Sequence, residues 1–279
     1  MRTVSPVWYV LVSIVTVQAG AAVAKSLFDV VPATGMTWLR LLLSAVLLVM
    51  IARPRLRGRD RAAWVTLGAY AAPLVCMNWA LYQAAARIPL GIAVTIEFLG
   101  PLSVAVLTSR AVRDVLLALD AVAGVVMLGS RPTSLDPVGL AYALLAALGW
   151  GLYILATPHV GRRWRSLDAL ALASLAGAVL LAPAGLAATH GVLTPRILLA
   201  ATAVAVLSSV IPYAAELAAL RTLPTRVFSV LMSLEPAAAA LAGLLLLHEA
   251  LTPVDLLAMA CVVLASIGVA RSARTAPRD

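Results

Sequence analysis

Ten apolar stretches, each about as long as a bilayer is thick, follow one another from residue 7 to residue 270 with only short polar breaks between them. A hydrocarbon core about 30 Å deep takes roughly 20 helical residues per crossing, and a helix satisfies every backbone amide within one such segment. On that ruler the spans fall near 7–24, 33–52, 62–86, 89–108, 112–130, 137–157, 168–188, 196–219, 226–247 and 254–270. Composition agrees, because 63% apolar and 12% charged residues with a mean hydropathy of +1.01 are foreign to a water-soluble domain. The expected fold is an all-α polytopic membrane protein with ten transmembrane helices.

Cationic residues then set the orientation, since short cytoplasmic loops retain positive charge. With the N-terminus inside, the inner segments carry Arg2; Arg53, Arg55, Arg57, Arg59 and Arg61; Arg110 and Arg113; Arg162, Arg163 and Arg165; Arg221 and Arg226; and Arg271, Arg274 and Arg278. That is sixteen, against four outside, Lys25, Arg87, Arg131 and Arg196, with Arg40 inside the second span. Both termini are therefore expected in the cytoplasm. The net charge of +9 follows from these membrane-flanking arginines, which face anionic lipid, so no nucleic-acid partner is called for. Arg2, the first apolar run and Ala22-Val23-Ala24 resemble a cleaved signal peptide, but removing it would leave nine spans and break the charge pattern. Cys76 and Cys261 both fall within spans, where they are expected to be packing residues, and no metal-ligand spacing is present.

An internal repeat with an offset of 135 residues runs through the chain. Pro89 and Pro101 match Pro224 and Pro236, Arg113-Asp114 matches His248-Glu249, and Asp120 matches Asp255. Five spans per half is an odd number, so the halves, 1–130 and 137–270, should be inverted in the membrane, with 271–279 as a cytoplasmic tail. Such folds place their substrate sites near the midplane, where the repeats meet. Pro101 and Pro236 fall mid-helix in spans four and nine. There each removes a backbone hydrogen bond and frees a carbonyl one turn earlier, at Glu97 and Met232.

Glu97 and Glu235 are the carboxylates expected near the bilayer centre, where an acidic side chain costs at least about 2.5 kcal/mol and is commonly functional. Each has a structural alternative, as the partner of a buried cation or as a protonated acid bonded to a backbone carbonyl. Glu216, near the inner end of span eight, is expected to pair with Arg221 or meet solvent. Further polar or aromatic groups in the spans are Gln18, Arg40, Asn78, Tyr82, Tyr153, Tyr213 and Ser229, with Trp79 and Trp150 as aromatic walls. Tyr and Trp also collect at interfaces, Asn and Gln join helices, and Arg40 can snorkel outward. His159, His190 and His248 are scattered and no nucleotide-binding glycine motif occurs, which argues against a membrane enzyme acting on a lipid-linked substrate.

The stretches PLGIAVTIEFLGPL at 89–102, RTLPTRVFSVLMSLEPA at 221–237 and HEALTP at 248–253, with QAGAAVAKSLF at 18–28 and the arginine of WLRLLL at 38–43, carry a family likeness. The chain resembles the drug/metabolite transporter superfamily in its ten-helix form of two EamA-type halves, within the threonine/homoserine exporter group of bacterial inner membranes. The resemblance implies efflux of small neutral amino acids in exchange for protons by alternating access, with no cofactor and no metal, as a monomer or homodimer. For a zwitterionic cargo Glu97 would accept the ammonium, and Asn78, Tyr82 or Arg40 would donate to the carboxylate. Ammonium and proton would compete for Glu97, with Glu235 as the second candidate carrier. Another metabolite or a drug on the same scaffold is the rival reading of the cargo. Small multidrug exporters of this superfamily carry their key carboxylate in the first helix, and the first span here has none.

Overall fold

A computed structural model describes residues 5–109, 111–128 and 135–272. Arg2, Arg110, Arg131, Arg274, Arg278 and the expected end of span five at 129–130 lie outside the described residues. The described chain is helical throughout: α1 Pro6–Lys25, α2 Ala33–Ala52, α3 Arg61–Ala85, α4 Leu90–Glu97, α5 Leu99–Leu107, α6 Val112–Leu128, α7 Pro137–Gly161, α8 Ser166–Leu180, α9 Ala182–Thr189 and α10 Pro195–Ala205. A π-helical turn at Val206–Val210 leads into α11 Ile211–Leu220, followed by α12 Thr225–Met232, α13 Glu235–Leu247 and α14 Pro253–Ser272. Short polar caps start several of these helices. Asp60 accepts from Ala63 N at 2.8 Å, Asp136 from Val138 N at 2.8 Å and Thr194 from Ile197 N at 3.3 Å, each satisfying an amide with no partner inside its helix. The Ala63 amide, with Arg163 beside it, holds the exposed Asp60 carboxyl below the usual aspartate range.

Among the described residues eight helical segments are long and apolar enough to cross a membrane, and a bent pair makes a ninth. The bend corrects the expectation of one straight helix over 168–188: α8 and α9 meet at 64°. Pro183 at the start of α9 is the cause, because it cannot donate to the turn before it and its ring crowds that turn. Trp38 is wedged at the bend. Its indole N–H donates to Ala178 O at 3.0 Å, and only a glycine at 185 leaves room for its ring, which would lie 2.2 Å from a Cβ there.

Proline interrupts three more spans. Span four divides into α4 and α5 at Phe98, and span nine into α12 and α13 at Ser233-Leu234. Pro101 lies three residues after Phe98 and Pro236 two to three after Ser233-Leu234, so the missing bonds are those to the Glu97 and Met232 carbonyls. Pro212 stands just after the π-helical turn of span eight and leaves Ser208 O without its helical donor.

The helices pack in extended pairs: α3 along α7, α1 along α10 and α11, α2 on α8, α4 on α13 and α6 on α14, with α5 also on α7. Between membrane helices van der Waals fit replaces the hydrophobic effect, so small residues sit where backbones approach. A Cβ at Gly100 would stand 2.2 Å from Ala147 O, and one at Gly149 would stand 2.9 Å from Met77 N. At the corner where α3 starts and α7 ends, Trp164 donates to Ala63 O at 2.9 Å, Arg59 stacks over its ring at 4.3 Å, and Arg163 pairs with Asp60 at 2.9 Å.

These contacts make one substitution costly and a similar one harmless. Gly100→Ala forces α5 away from α7 and should cost about 1–3 kcal/mol, read as a lower melting temperature in detergent. Gly68→Ala is also mid-helix, in α3, but a Cβ there meets nothing within 4 Å, so it should leave the melting temperature unchanged or raise it.

Candidate functional site

The freed carbonyl of Ser208 is the fixed point of the site. Arg40 on α2 donates to it from Nη2 at 3.2 Å, taking the place of the amide that Pro212 lacks. Ser44, one turn further along α2, bonds Ser209 Oγ at 2.9 Å, so two turns of α2 are tied to the π-helical turn. Arg40 therefore points across the bundle toward span eight, not outward to an interface. Its guanidinium lies 5.4 Å from the Tyr82 ring centroid, and Tyr82 packs against Phe28 with centroids 5.6 Å apart. A guanidinium suits this place because it stays ionised, stacks on a ring and still has donors to spare. Arg40 Nε has no hydrogen-bond partner among the described residues.

Glu97 ends α4 and is buried. Arg40 is the cation that acts on it electrostatically, and the same guanidinium acts on Tyr213. Glu235, also buried, begins α13. It feels two like charges, Glu216 first and Glu97 second. Thus α4, α11 and α13 each present a carboxylate to one region, and Arg40 is the charge that opposes them among the described residues. A site with that imbalance in low dielectric favours taking up a proton or a cationic group.

Glu216 departs from its expected ion pair with Arg221. It accepts from Ser13 Oγ of α1 at 2.7 Å, while Arg221 is exposed. Helix α1 packs along α11, and that contact turns the Glu216 side chain inward. Its charge also reaches Tyr70, Tyr153 and Tyr213. Tyr70 and Tyr153 bring their hydroxyls to 3.3 Å, and Tyr153 engages Tyr213 in turn.

The structure thus gathers Arg40, Tyr82, Glu97, Tyr153, Tyr213 and Glu235 from the sequence-derived set. Gln18 is buried with Oε1 unpartnered among the described residues. Asn78 is buried but donates back to Leu74 O of its own helix at 2.8 Å. Trp150 meets Phe98 edge to face at 5.4 Å, directly beside Glu97 in the chain. Trp79 turns to Thr34 Oγ1 at 3.1 Å and to the Tyr142 ring. Ser229 lies exposed on α12, apart from the buried group. Ser13, Tyr70 and Ser208 belong to the group, though sequence reasoning passed over them. Two signals pointed toward it: Pro212 inside a span identifies Ser208 O, and the offset of 135 pairs Gln18 with Tyr153 and Asn78 with Tyr213.

A second polar cluster closes the end of the bundle where α1 finishes and α4 begins. Lys25 Nζ lies 2.5 Å from Glu249 Oε1 and donates to Ile88 O at 2.7 Å, while Leu90 N donates to Glu249 Oε2 at 2.8 Å. One ion pair thus joins α1, the α3–α4 turn, the start of α4 and the α13–α14 connection. All eight residues of α4 are buried behind it. The repeat position of Glu249 is Asp114, whose Oδ2 accepts from the nearby Ser109 Oγ while Oδ1 has no partner among the described residues. The described side chains of α12, the repeat counterpart of α4, are exposed or half-buried.

Comparison with known proteins matches this arrangement to a family. The EamA-like transporter family profile matches residues 137–271. A protein of known crystal structure superposes with a TM-score of 0.66 at 20% identity, covering 97% of this chain and 99% of its own, which is a likeness of fold. The threonine/homoserine exporter RhtA of Escherichia coli strain K12 is 39% identical over 272 residues, 94% of this chain and 92% of the relative. RhtA of Salmonella typhimurium strain SL1344 is 38% identical over 278 residues, 98% and 94% of the two chains. The chain therefore belongs to the EamA-like transporters of the drug/metabolite transporter superfamily, in the group of the threonine/homoserine exporters.

Proposed function

We propose that this protein is a secondary active transporter of the bacterial inner membrane that exports small neutral amino acids such as threonine and homoserine in exchange for protons. The likeness to the two exporters over nearly the full length of both chains carries the reading of the cargo. Its chemistry rests on the Arg40–Glu97 pair, which offers an acceptor for the cargo's ammonium and a donor for its carboxylate. Tyr82 and Tyr213 add hydroxyls, Trp150 backs the Glu97 turn, and Glu235 is the second proton carrier. Proton and ammonium compete for Glu97, which couples export to inward proton movement.

Counting α6 as the tenth crossing, the chain is read as two halves, 1–130 and 137–270, inverted with respect to one another. The packing supports this. Exchanging the halves turns the α3–α7 contact into the contacts of α10 and α11 with α1, turns α5–α7 into α13–α1, and returns α2–α8 and α6–α14 to themselves. With both termini cytoplasmic, the Lys25–Glu249 cluster faces outward and α12 faces the cytoplasm. The sealed α4 and the open α12 then fit an inward-facing state of an alternating-access cycle, in which Lys25 and Glu249 latch the outer side.

A growth test addresses the cargo: overexpression should give resistance to toxic excess of threonine or homoserine, and unchanged sensitivity to both would sink that assignment. In proteoliposomes, Glu97→Gln should reduce threonine flux driven by a pH gradient to the level of empty vesicles. The Arg40–Glu97 coupling is measurable by a double-mutant cycle on stability, with Arg40→Leu and Glu97→Leu each alone and together. The pair should show a coupling on the order of 1 kcal/mol, while additive losses would mean the two do not interact. For the latch, Val94→Cys in a background lacking Cys76 and Cys261 should resist an impermeant thiol reagent added outside. Introducing Glu249→Gln should make it reactive.

A further inference from the structure

We propose that the side-chain amide of Gln18 recognises the hydroxyl of the cargo, so that the site selects hydroxy-amino acids over isosteres that carry a methyl group instead. The inference rests on the reading of the protein as an amino-acid exporter and names the side-chain group that its site selects. The chain has three side-chain amides. Asn78 donates to Leu74 O at 2.8 Å, and Gln83 both donates to Thr34 Oγ1 at 2.8 Å and accepts from Arg87 at 3.2 Å. Gln18 is 3% exposed, and its Oε1 is without a hydrogen-bond partner among the described residues. A carbonyl oxygen shut away from water is costly to leave unpaired, which points to a donor that arrives with the cargo.

Helix phase and packing place this amide beside Glu97 and Glu235. Gln18 shares a face of α1 with Ala21 and Ala22, three and four residues on. Those alanines form one apolar cluster with Leu90 and Val94 of α4 and Ala239 of α13, and α13 packs on both α1 and α4. The same periodicity carries the α4 stripe from Leu90 and Val94 to Glu97, and the α13 stripe from Ala239 back four residues to Glu235. Depth agrees with phase. Helix α1 ends and α4 begins at the Lys25–Glu249 cluster, and Gln18 is seven residues from Lys25 as Glu97 is from Leu90, equal descents of about 10 Å along each axis. A Cβ at Gly91 would stand 2.8 Å from Ala240 Cα, so Glu97, six residues on, and Glu235, five back, lie at matching heights. One turn before Gln18, Ile14 belongs to a second apolar cluster with Met232 and Ala238. Gln18 is thus the polar gap on this face of α1 between two apolar clusters, opposite the breaks in spans four and nine.

The chemistry follows from what the other groups already hold. With the ammonium at Glu97 on α4 and the carboxylate at Arg40 on α2, the third substituent of the cargo's α-carbon is left for α1. Its hydroxyl donates to Gln18 Oε1, and the amide N–H is free to donate back to the hydroxyl oxygen. The two-methylene stem of glutamine reaches a hydroxyl on either the β- or the γ-carbon. Because the folded protein already bears the cost of desolvating the amide, the bond is gained in full on binding. A methyl group at the same place leaves Oε1 unpaired, and a site built around a hydrogen bond discriminates against such an analogue far more strongly than an apolar pocket does.

Two matched pairs of amino acids isolate the hydroxyl: threonine with valine, and homoserine with norvaline, the second of each pair having a methyl group in its place. Each is titrated against the full chain in detergent, and the concentration giving half of the rise in melting temperature is read. Wild-type protein should respond to the hydroxyl member at concentrations about 10–100-fold lower, the scale of one buried acceptor left unpaired. Gln18→Met should lose that preference, with threonine weakened and valine strengthened. Without ligand the same variant should melt at or above the wild-type temperature, because it removes an unpaired buried amide. Gln18→Asn, one methylene shorter, should keep the preference for a hydroxyl but favour homoserine over threonine. An unchanged threonine-to-valine ratio in Gln18→Met would overturn the proposal. So would an equal weakening of all four ligands with a lower melting temperature, which would make Gln18 a packing residue. Wild-type protein that takes valine as readily as threonine overturns the hydroxyl contact alone. If it responds to none of the four and exchanges no labelled threonine in proteoliposomes, the reading of the cargo fails and the contact with it.

Discussion

A backbone carbonyl that loses its helical donor inside the hydrocarbon has no water to turn to, and this constraint organises the centre of the protein. Pro212 withdraws the donor from Ser208 O, the chain accommodates the loss as a π-helical turn, and Arg40 supplies the replacement across the bundle. That bond fixes where the guanidinium sits. Its position over Tyr82 and its action on Glu97 and Tyr213 follow. At the α8–α9 bend a side chain likewise completes the backbone, as Trp38 donates its N–H to Ala178 O. Helix breaks that would be defects in an isolated span become joints once a neighbouring side chain completes them.

The same accounting explains how charge is tolerated at this depth. Three carboxylates, Glu97, Glu216 and Glu235, share one region with a single opposing guanidinium among the described residues. Burial disfavours each charge, like charges disfavour one another, and the arrangement is most comfortable with an extra proton or an ammonium present. A structural ion-pair network would match its charges.

The two halves use their related positions differently. Gln18 and Asn78 in the first half stand where Tyr153 and Tyr213 stand in the second, and Glu249 holds Lys25 where its counterpart Asp114 accepts from Ser109. Glu97 is matched by Met232 and Glu235 by Gly100. Gly100 could not become a carboxylate, because α5 and α7 touch there with no space for a Cβ. Positions related by the offset of 135 thus carry unequal groups, since Gly100 touches another backbone where its counterpart Glu235 is a buried carboxylate.

Much of this was legible in the chain itself. The helices long and apolar enough to cross a membrane, and the approximate place of their breaks, follow from apolar length and proline, because both act through local backbone chemistry. Glu97 and Glu235 stood out for the cost of a carboxylate in hydrocarbon. The bend at Pro183 and the π-helical turn before Pro212 depended on what lay opposite, since a proline in a span bends or merely loosens it according to which neighbour takes the freed carbonyl. Arg40 likewise had two destinations, the interface or the interior, and only a bonded carbonyl on span eight decided between them. Proximity in the chain offers Glu216 either Arg221 or solvent, and the packing of α1 along α11 gives it Ser13 instead. Sequence alone determined which groups are expensive to bury, for that depends on residue type and depth. Tertiary structure decided which of them meet, because the partners come from helices up to 203 residues apart.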